Sequence, residues 1–141
     1  MVIWAGIDLL GSFSAPSGAR VGLRFKHFVM EYMTDSPAPD GIPPEMLADV
    51  LYTGLRNPMV HSFGLNSKYD VILAQGRPDF VLTKYGTDNT YVVIIEGLYA
   101  AFIAGVEKYR DKVQTDAAVR AKFFTEFERN GVLGMTTKPA D

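Results

Sequence analysis

Three side chains that can handle a phosphate ester stand close together in the stretch LYTGLRNPMVHSFGL, Leu51 to Leu65: Arg56, Asn57 and His61. An arginine can grip two phosphate oxygens and stabilise the charge that builds up when phosphorus is attacked. A histidine, with a pKa near 6.5, moves protons at neutral pH. An asparagine amide can orient either the imidazole or the phosphate. Together these groups suit metal-free cleavage of RNA, in which the ribose 2′-hydroxyl attacks the adjacent phosphorus.

Spacing decides whether they can meet. Asn57 and His61 are four apart and share a helix face. Arg56 and His61 are roughly 140° apart around an ideal helix and about 7.5 Å along it, so a straight helix keeps them separate. Pro58 removes a backbone donor and clashes with the carbonyl of Gly54, so a kink or helix end is expected here. That distortion, or a second copy of the chain, would bring arginine and histidine to one ligand. The plainer alternative is that all three residues finish a helix: Arg and His suit the negative end of its dipole, and Asn is common where helices stop.

The arrangement from Arg56 to His61 resembles the HEPN superfamily (higher eukaryote and prokaryote nucleotide-binding domains). Its mark is an arginine, a polar residue, three to five more residues and a histidine, on the third or fourth helix of a small bundle. The resemblance implies a helical bundle and a metal-independent endoribonuclease of toxin or defence type, with Arg56, Asn57 and His61 as catalytic residues. It also implies a site shared across a symmetric homodimer, with RNA or an antitoxin-like protein as partner. A non-catalytic HEPN-like dimer binding a partner protein or nucleotide is the alternative. A positive cleft would mark the enzyme, whereas an ion pair between Arg56 and an acidic residue would mark the binding module.

Composition narrows the remaining choices. The 141 residues suit one domain with a real core, expected over 1–133 with a frayed tail over 134–141. A formal net charge of −2 gives no global attraction to nucleic acid, so any such binding needs a local basic patch. Cysteine is absent and histidine is limited to His27 and His61, so no metal site and no cofactor is expected. The apolar N-terminus lacks a basic leading segment and is interrupted by Asp8, which argues against a signal peptide. Asn89 to Val106 carries only Glu96 as a charge, yet its β-branched first half reads as a strand running into a buried helix rather than a membrane span. A soluble, cytoplasmic protein is expected.

The elements that must position the motif follow from hydrophobic period. Val2 to Phe13 reads as a first helix, with Ile3, Ile7 and Leu10 inward and Asp8 solvated on the outer face; Gly6 and Gly11 weaken it but permit close packing. A second helix is expected from about Gly18 to Met33, capped by Ser17, with Val21, Phe25, Phe28, Val29 and Tyr32 as its core stripe. Its other side carries Arg20, Arg24, His27 and Glu31. This is either a solvated face or a phosphate-contacting ridge beside Arg56, so Arg20, Arg24 and His27 are the candidate substrate-binding residues.

After the proline-rich stretch Thr34 to Pro44, a third helix buries Leu47, Val50, Leu51, Gly54 and Leu55. Glu45, Asp49, Tyr52 and Arg56 lie on its other side, which turns Arg56 away from the core and toward a ligand or partner chain. Three runs then change the period: Tyr69–Ala74, Asp79–Lys84 and Thr90–Ile95. They predict two or three antiparallel strands with hairpins at Gln75–Pro78 and Gly86–Asn89. The longest helix follows over Glu96 to Gln114, with a seam of Ile95, Tyr99, Phe102, Val106, Tyr109 and Val113. A last helix capped by Thr115 runs to Asn130, with Val119, Phe123, Phe124 and Phe127 inward and a stop at Gly131. The fold class expected is mainly α: about five helices, with a small antiparallel hairpin or meander inserted between the third and fourth.

Overall fold

The computed structural model of the chain describes residues 2–35, 42–56, 68–77 and 81–130. Asn57, His61 and the expected tail lie outside these residues, as does most of the proline-rich loop. Among the described residues the fold is mainly α, with five helices and a small three-stranded sheet. In chain order the elements are α1 (Val2–Ser14), α2 (Val21–Tyr32), α3 (Pro44–Asp49) with a π-helical continuation (Val50–Arg56), β1 (Asp70–Ala74), β2 (Leu82–Tyr85), β3 (Thr90–Ile94), α4 (Ile95–Thr115) and α5 (Ala117–Asn130). Among the described residues no helix is long and apolar enough to cross a membrane.

The core is aromatic at its centre. Phe25 and Phe28 of α2 are fully buried, and Phe28, Tyr32 and Tyr109 pack ring against ring. The expected stripe of α2 holds except at its first residue, Val21, which is half exposed. That helix also starts later than expected. Gly18 adopts φ +80°, a left-handed turn conformation, and the helix begins only at Val21, so Ser17 does not cap it.

Two glycines set the helix spacing. A Cβ on Gly11 would lie 2.8 Å from the carbonyl carbon of Arg24, so α1 and α2 meet backbone to backbone there. A Cβ on Gly105 would lie 3.0 Å from the Tyr32 carbonyl oxygen, which brings α4 equally close to the end of α2. This explains why the expected seam of α4 is displaced. Its buried line is Leu98, Ala101, Gly105 and Tyr109, while Tyr99 is 58% exposed. Small residues admit the neighbouring backbone; of the expected seam Ile95 and Tyr99 are turned out, Phe102 and Val113 pack against the core from its rim, and Tyr109 is buried as expected.

At the next junction Thr115 bonds back to the Asp111 carbonyl and ends α4. Asp116 caps α5 instead, its carboxylate accepting the N–H groups of Ala118 and Val119. In α5, Val119 and Phe123 pack on the core, whereas Phe124 and Phe127 are largely exposed and Glu126 is buried.

The sheet corrects the antiparallel expectation. Its order is β1-β3-β2; β1 runs parallel to β3 and only β2 pairs antiparallel with it. The hairpin at Gly86–Asn89 joins β2 to β3, with Gly86 at φ +68°. No hairpin joins β1 to β2. Past β1 the chain turns across the end of β3: the Gly76 N–H donates to the Glu96 carboxylate at 2.9 Å, and the Gly76 backbone lies against Ile94. The middle place is thus left for β3, the strand richest in β-branched residues, and Tyr91 and Val93 on it are buried.

Burial and the neighbouring Tyr32 push the Tyr109 phenol up to about 12, and its hydroxyl has no hydrogen-bond partner among the described residues. A Tyr109→Phe chain should therefore be as stable as the parent or about 1 kcal/mol more so, because an unmet buried hydroxyl is removed with little change of shape. Thermal melts at neutral pH test this. Above pH 10 the parent should lose stability that the variant keeps, since an unfolded phenol ionises there while the buried one resists until about 12.

Candidate functional site

The face of α3 and its π-helical continuation that turns from the core carries Asp49, Tyr52, Thr53 and Arg56, at the spacing that aligns side chains along one side of a helix. The opposite side is buried as expected at Leu47, Val50, Leu51, Gly54 and Leu55. Over Val50–Arg56 the helix is wound as a π-helix, a rare geometry that often accompanies functional positions; the kink or end expected at Pro58 lies outside the described residues. Gly54 itself is where the sheet docks: a Cβ there would meet Val71 Cγ2 at 2.7 Å.

Asp49 is the hub of this face. Its carboxylate accepts hydrogen bonds from Lys26 at 2.6 Å, Thr53 at 3.1 Å, Lys68 at 3.2 Å and the Tyr69 hydroxyl. Burial pushes the carboxyl up, but the bonds from Lys26, Tyr69 and Lys68 outweigh it and hold Asp49 well below the usual carboxylate range. Burial, reinforced by the bond to Asp49, raises the Tyr69 phenol, so it stays protonated as a donor. Lys26 comes from α2, and Lys68 and Tyr69 from the two residues just before β1. One carboxylate therefore ties three separated parts of the chain together.

Tyr52 bridges to the motif. Its ring packs on Phe25 at 5.3 Å, in space left by Gly22, where a Cβ would come within 3.0 Å of it. The Lys26 ammonium lies 5.7 Å from the ring centre and the Arg56 guanidinium 5.5 Å, both at cation–π distance. Arg56 then reaches α1: its Nε and Nη2 donate to Asp8 Oδ2 at 3.2 and 2.9 Å. The arginine side chain is only 12% exposed. Two expectations are corrected here. Asp8 is a half-buried ion-pair partner rather than a solvated residue, and Arg56 turns to its own chain's first helix rather than outward. The physical reason is that α1 covers the end of this face, which the periodicity of α3 alone does not reveal.

The basic ridge of α2 is not brought to Arg56. Arg20, Arg24 and His27 sit roughly 100–160° around the helix from Lys26, the residue that does face α3. His27 lies instead beside Ser14 and Lys122, at the end of α1 and the side of α5. Burial lowers its pKa; Glu31 opposes this and Lys122 adds to it, so the imidazole is neutral at pH 7. Lys122 donates to the carbonyls of Ser14 and Ala15 and so closes the last turn of α1.

The sequence pattern showed Asp49, Tyr52 and Arg56 as a stripe, but Asp8, Lys26, Lys68 and Tyr69 carried no local signal. Among the described residues no three acidic, histidine or cysteine side chains gather where a metal ion could be held. Among the described residues the face offers three cations, Lys26, Arg56 and Lys68, against two carboxylates, Asp8 and Asp49, with each cation on a carboxylate. No family model, curated protein or solved structure matches the chain.

Proposed function

We propose that the chain is a non-catalytic HEPN-like module that binds a partner protein through the face around Tyr52. The observation that carries this reading is the pair between Arg56 and Asp8. A transition-state arginine must offer its donors to a phosphate, yet two of these are engaged by a carboxylate, and a phosphate approaching them would meet the charge of Asp8. The lysines nearby are likewise committed to Asp49, so among the described residues no set of unpaired cations converges beside Arg56 as a phosphate clamp would require.

In this reading Arg56 serves architecture. Asp8→Ala and Arg56→Ala should each cost about 1–2 kcal/mol in urea unfolding, and the double variant little more than either, because both singles break the same contact. RNA incubated with the purified chain should stay intact.

The second reading is the metal-independent endoribonuclease with Arg56, Asn57 and His61 as its catalytic residues. The π winding that ends on Arg56 favours it, since such winding is frequent at functional sites. It requires cleavage that survives EDTA, leaves a 2′,3′-cyclic phosphate and disappears in His61→Ala. That result would overturn the binding module.

A further inference from the structure

Strand β1 stands at the open edge of the sheet and looks like a strand from a sheet's interior. Its residues Val71, Ile72, Leu73 and Ala74 are all apolar, the pattern of strands covered on both sides, yet none of them is fully buried. On the face turned to the helices, Leu82, Val93 and Leu73 follow one another across β2, β3 and β1. The first two are 0% exposed and Leu73 is 43% exposed. On the other face Ile72 is 49% exposed. Burial fades toward the β1 edge, and among the described residues no strand lies beyond it.

The backbone at that edge can be read residue by residue. The Asp70 N–H donates to the Asn89 carbonyl, so Asp70, Ile72 and Ala74 direct their peptide groups to β3. Alternation then turns the N–H and C=O of Val71 and Leu73 outward. Natural sheets usually blunt such an edge with charge, proline or a bulge. Here the only charged residue is Asp70, at one end.

We infer that β1 pairs with β1 of a second copy, antiparallel about a two-fold axis at Ile72, making one continuous six-stranded sheet. The strand is complementary to itself in this register. Val71 falls opposite Leu73 of the second copy, and each exchanges both outward peptide groups with the other, giving four hydrogen bonds in all. Ile72 faces its own equivalent in the closely spaced, non-hydrogen-bonded pair. Asp70 falls opposite Ala74, so the two carboxylates lie at opposite ends rather than together. Shifting the axis to Val71 or Leu73 shortens the overlap and halves the bonds. The chosen register also places Val71 of one copy beside the exposed Leu73 of the other, extending the core face across the junction. The inference is independent of what the Tyr52 face binds.

The chain has no cysteine, which allows a direct test on the full-length protein. In the proposed pair the two Ile72 Cα atoms stand about 4.5 Å apart, within reach of a disulfide. Asp70 and its equivalent are roughly 14 Å apart along the strands, which is out of reach. Under mild oxidation Ile72→Cys should form a covalent dimer at least about tenfold faster than Asp70→Cys or Ala74→Cys. Sedimentation of the parent should show a reversible dimer at tens of micromolar. Leu73→Pro, which removes an outward N–H and leaves the β3 ladder alone, should weaken it about tenfold or more. A parent that is monomeric at those concentrations overturns the inference. So does cross-linking at residue 72 no faster than at 70, or a dimer indifferent to Leu73→Pro in a variant that keeps its circular dichroism. If Leu73→Pro does not fold, the cysteine comparison decides.

Discussion

Gly11→Ala should destabilise the protein by about 2–3 kcal/mol, against the sign that helix propensity gives. Gly11 lies inside α1, where alanine is favoured over glycine by about 1 kcal/mol, so on propensity alone the change stabilises. Packing reverses it. The new methyl would stand 2.8 Å from the carbonyl carbon of Arg24 and closer still to its oxygen. Both belong to the backbone of α2 and have no rotamer by which to move aside, so the helices must part. Their separation would loosen Trp4 and Ile7 from Phe25 and Phe28 along the same interface. Urea unfolding should show a lower midpoint with an unchanged slope. A midpoint equal to or above that of the parent would mean that α1 and α2 do not meet at this glycine.

The second large effect belongs to Asp49. Asp49→Ala should cost about 2–3 kcal/mol at pH 7, because Lys26, Lys68 and the Tyr69 hydroxyl lose a common charged acceptor. The isosteric Asp49→Asn separates charge from shape and should recover part of that loss. Acid adds a further sign. The folded carboxyl is held below the range near 4 that it has when unfolded, so its contribution is whole above that range and fades as pH falls through it. Between pH 7 and pH 3 the parent should therefore lose more stability than Asp49→Asn does. Equal losses would show that the lysines and Tyr69 do not depend on the charge of Asp49. The anchoring of α2, α3 and β1 would then have to be sought in apolar contact alone.

Local pattern carried much of this architecture. The 3.6-residue period of α3 and its continuation marked both faces correctly, with Leu47 to Leu55 inward and Asp49, Tyr52 and Arg56 on the other side. The change of period after residue 68 marked strands, and Gly86 marked the turn that joins two of them. These features are legible because they arise from backbone sterics and from side chains a few residues apart, and every such pair is visible in the chain itself. The kink or helix end expected at Pro58 lies outside the described residues, and the π winding over Val50–Arg56 carried no signal in the sequence.

Only the tertiary structure decided which surfaces meet. The middle place of β3, and with it the parallel partner of β1, is a matter of which strands pair in space, and the order of the runs along the chain does not record it. In α4 two neighbouring stripes had helical spacing, and the choice between them fell to Gly105, because only a residue without a side chain lets the end of α2 approach. The motif shows the same division. Arg56 could be named from its spacing to His61, but its partner Asp8 lies 48 positions away on another helix. Likewise Lys26, rather than the more conspicuous ridge of Arg20, Arg24 and His27, faces α3 because of how α2 is rotated against its neighbours. A one-dimensional pattern records the period of each helix; the rotation of one helix against another is settled by packing among all of them at once.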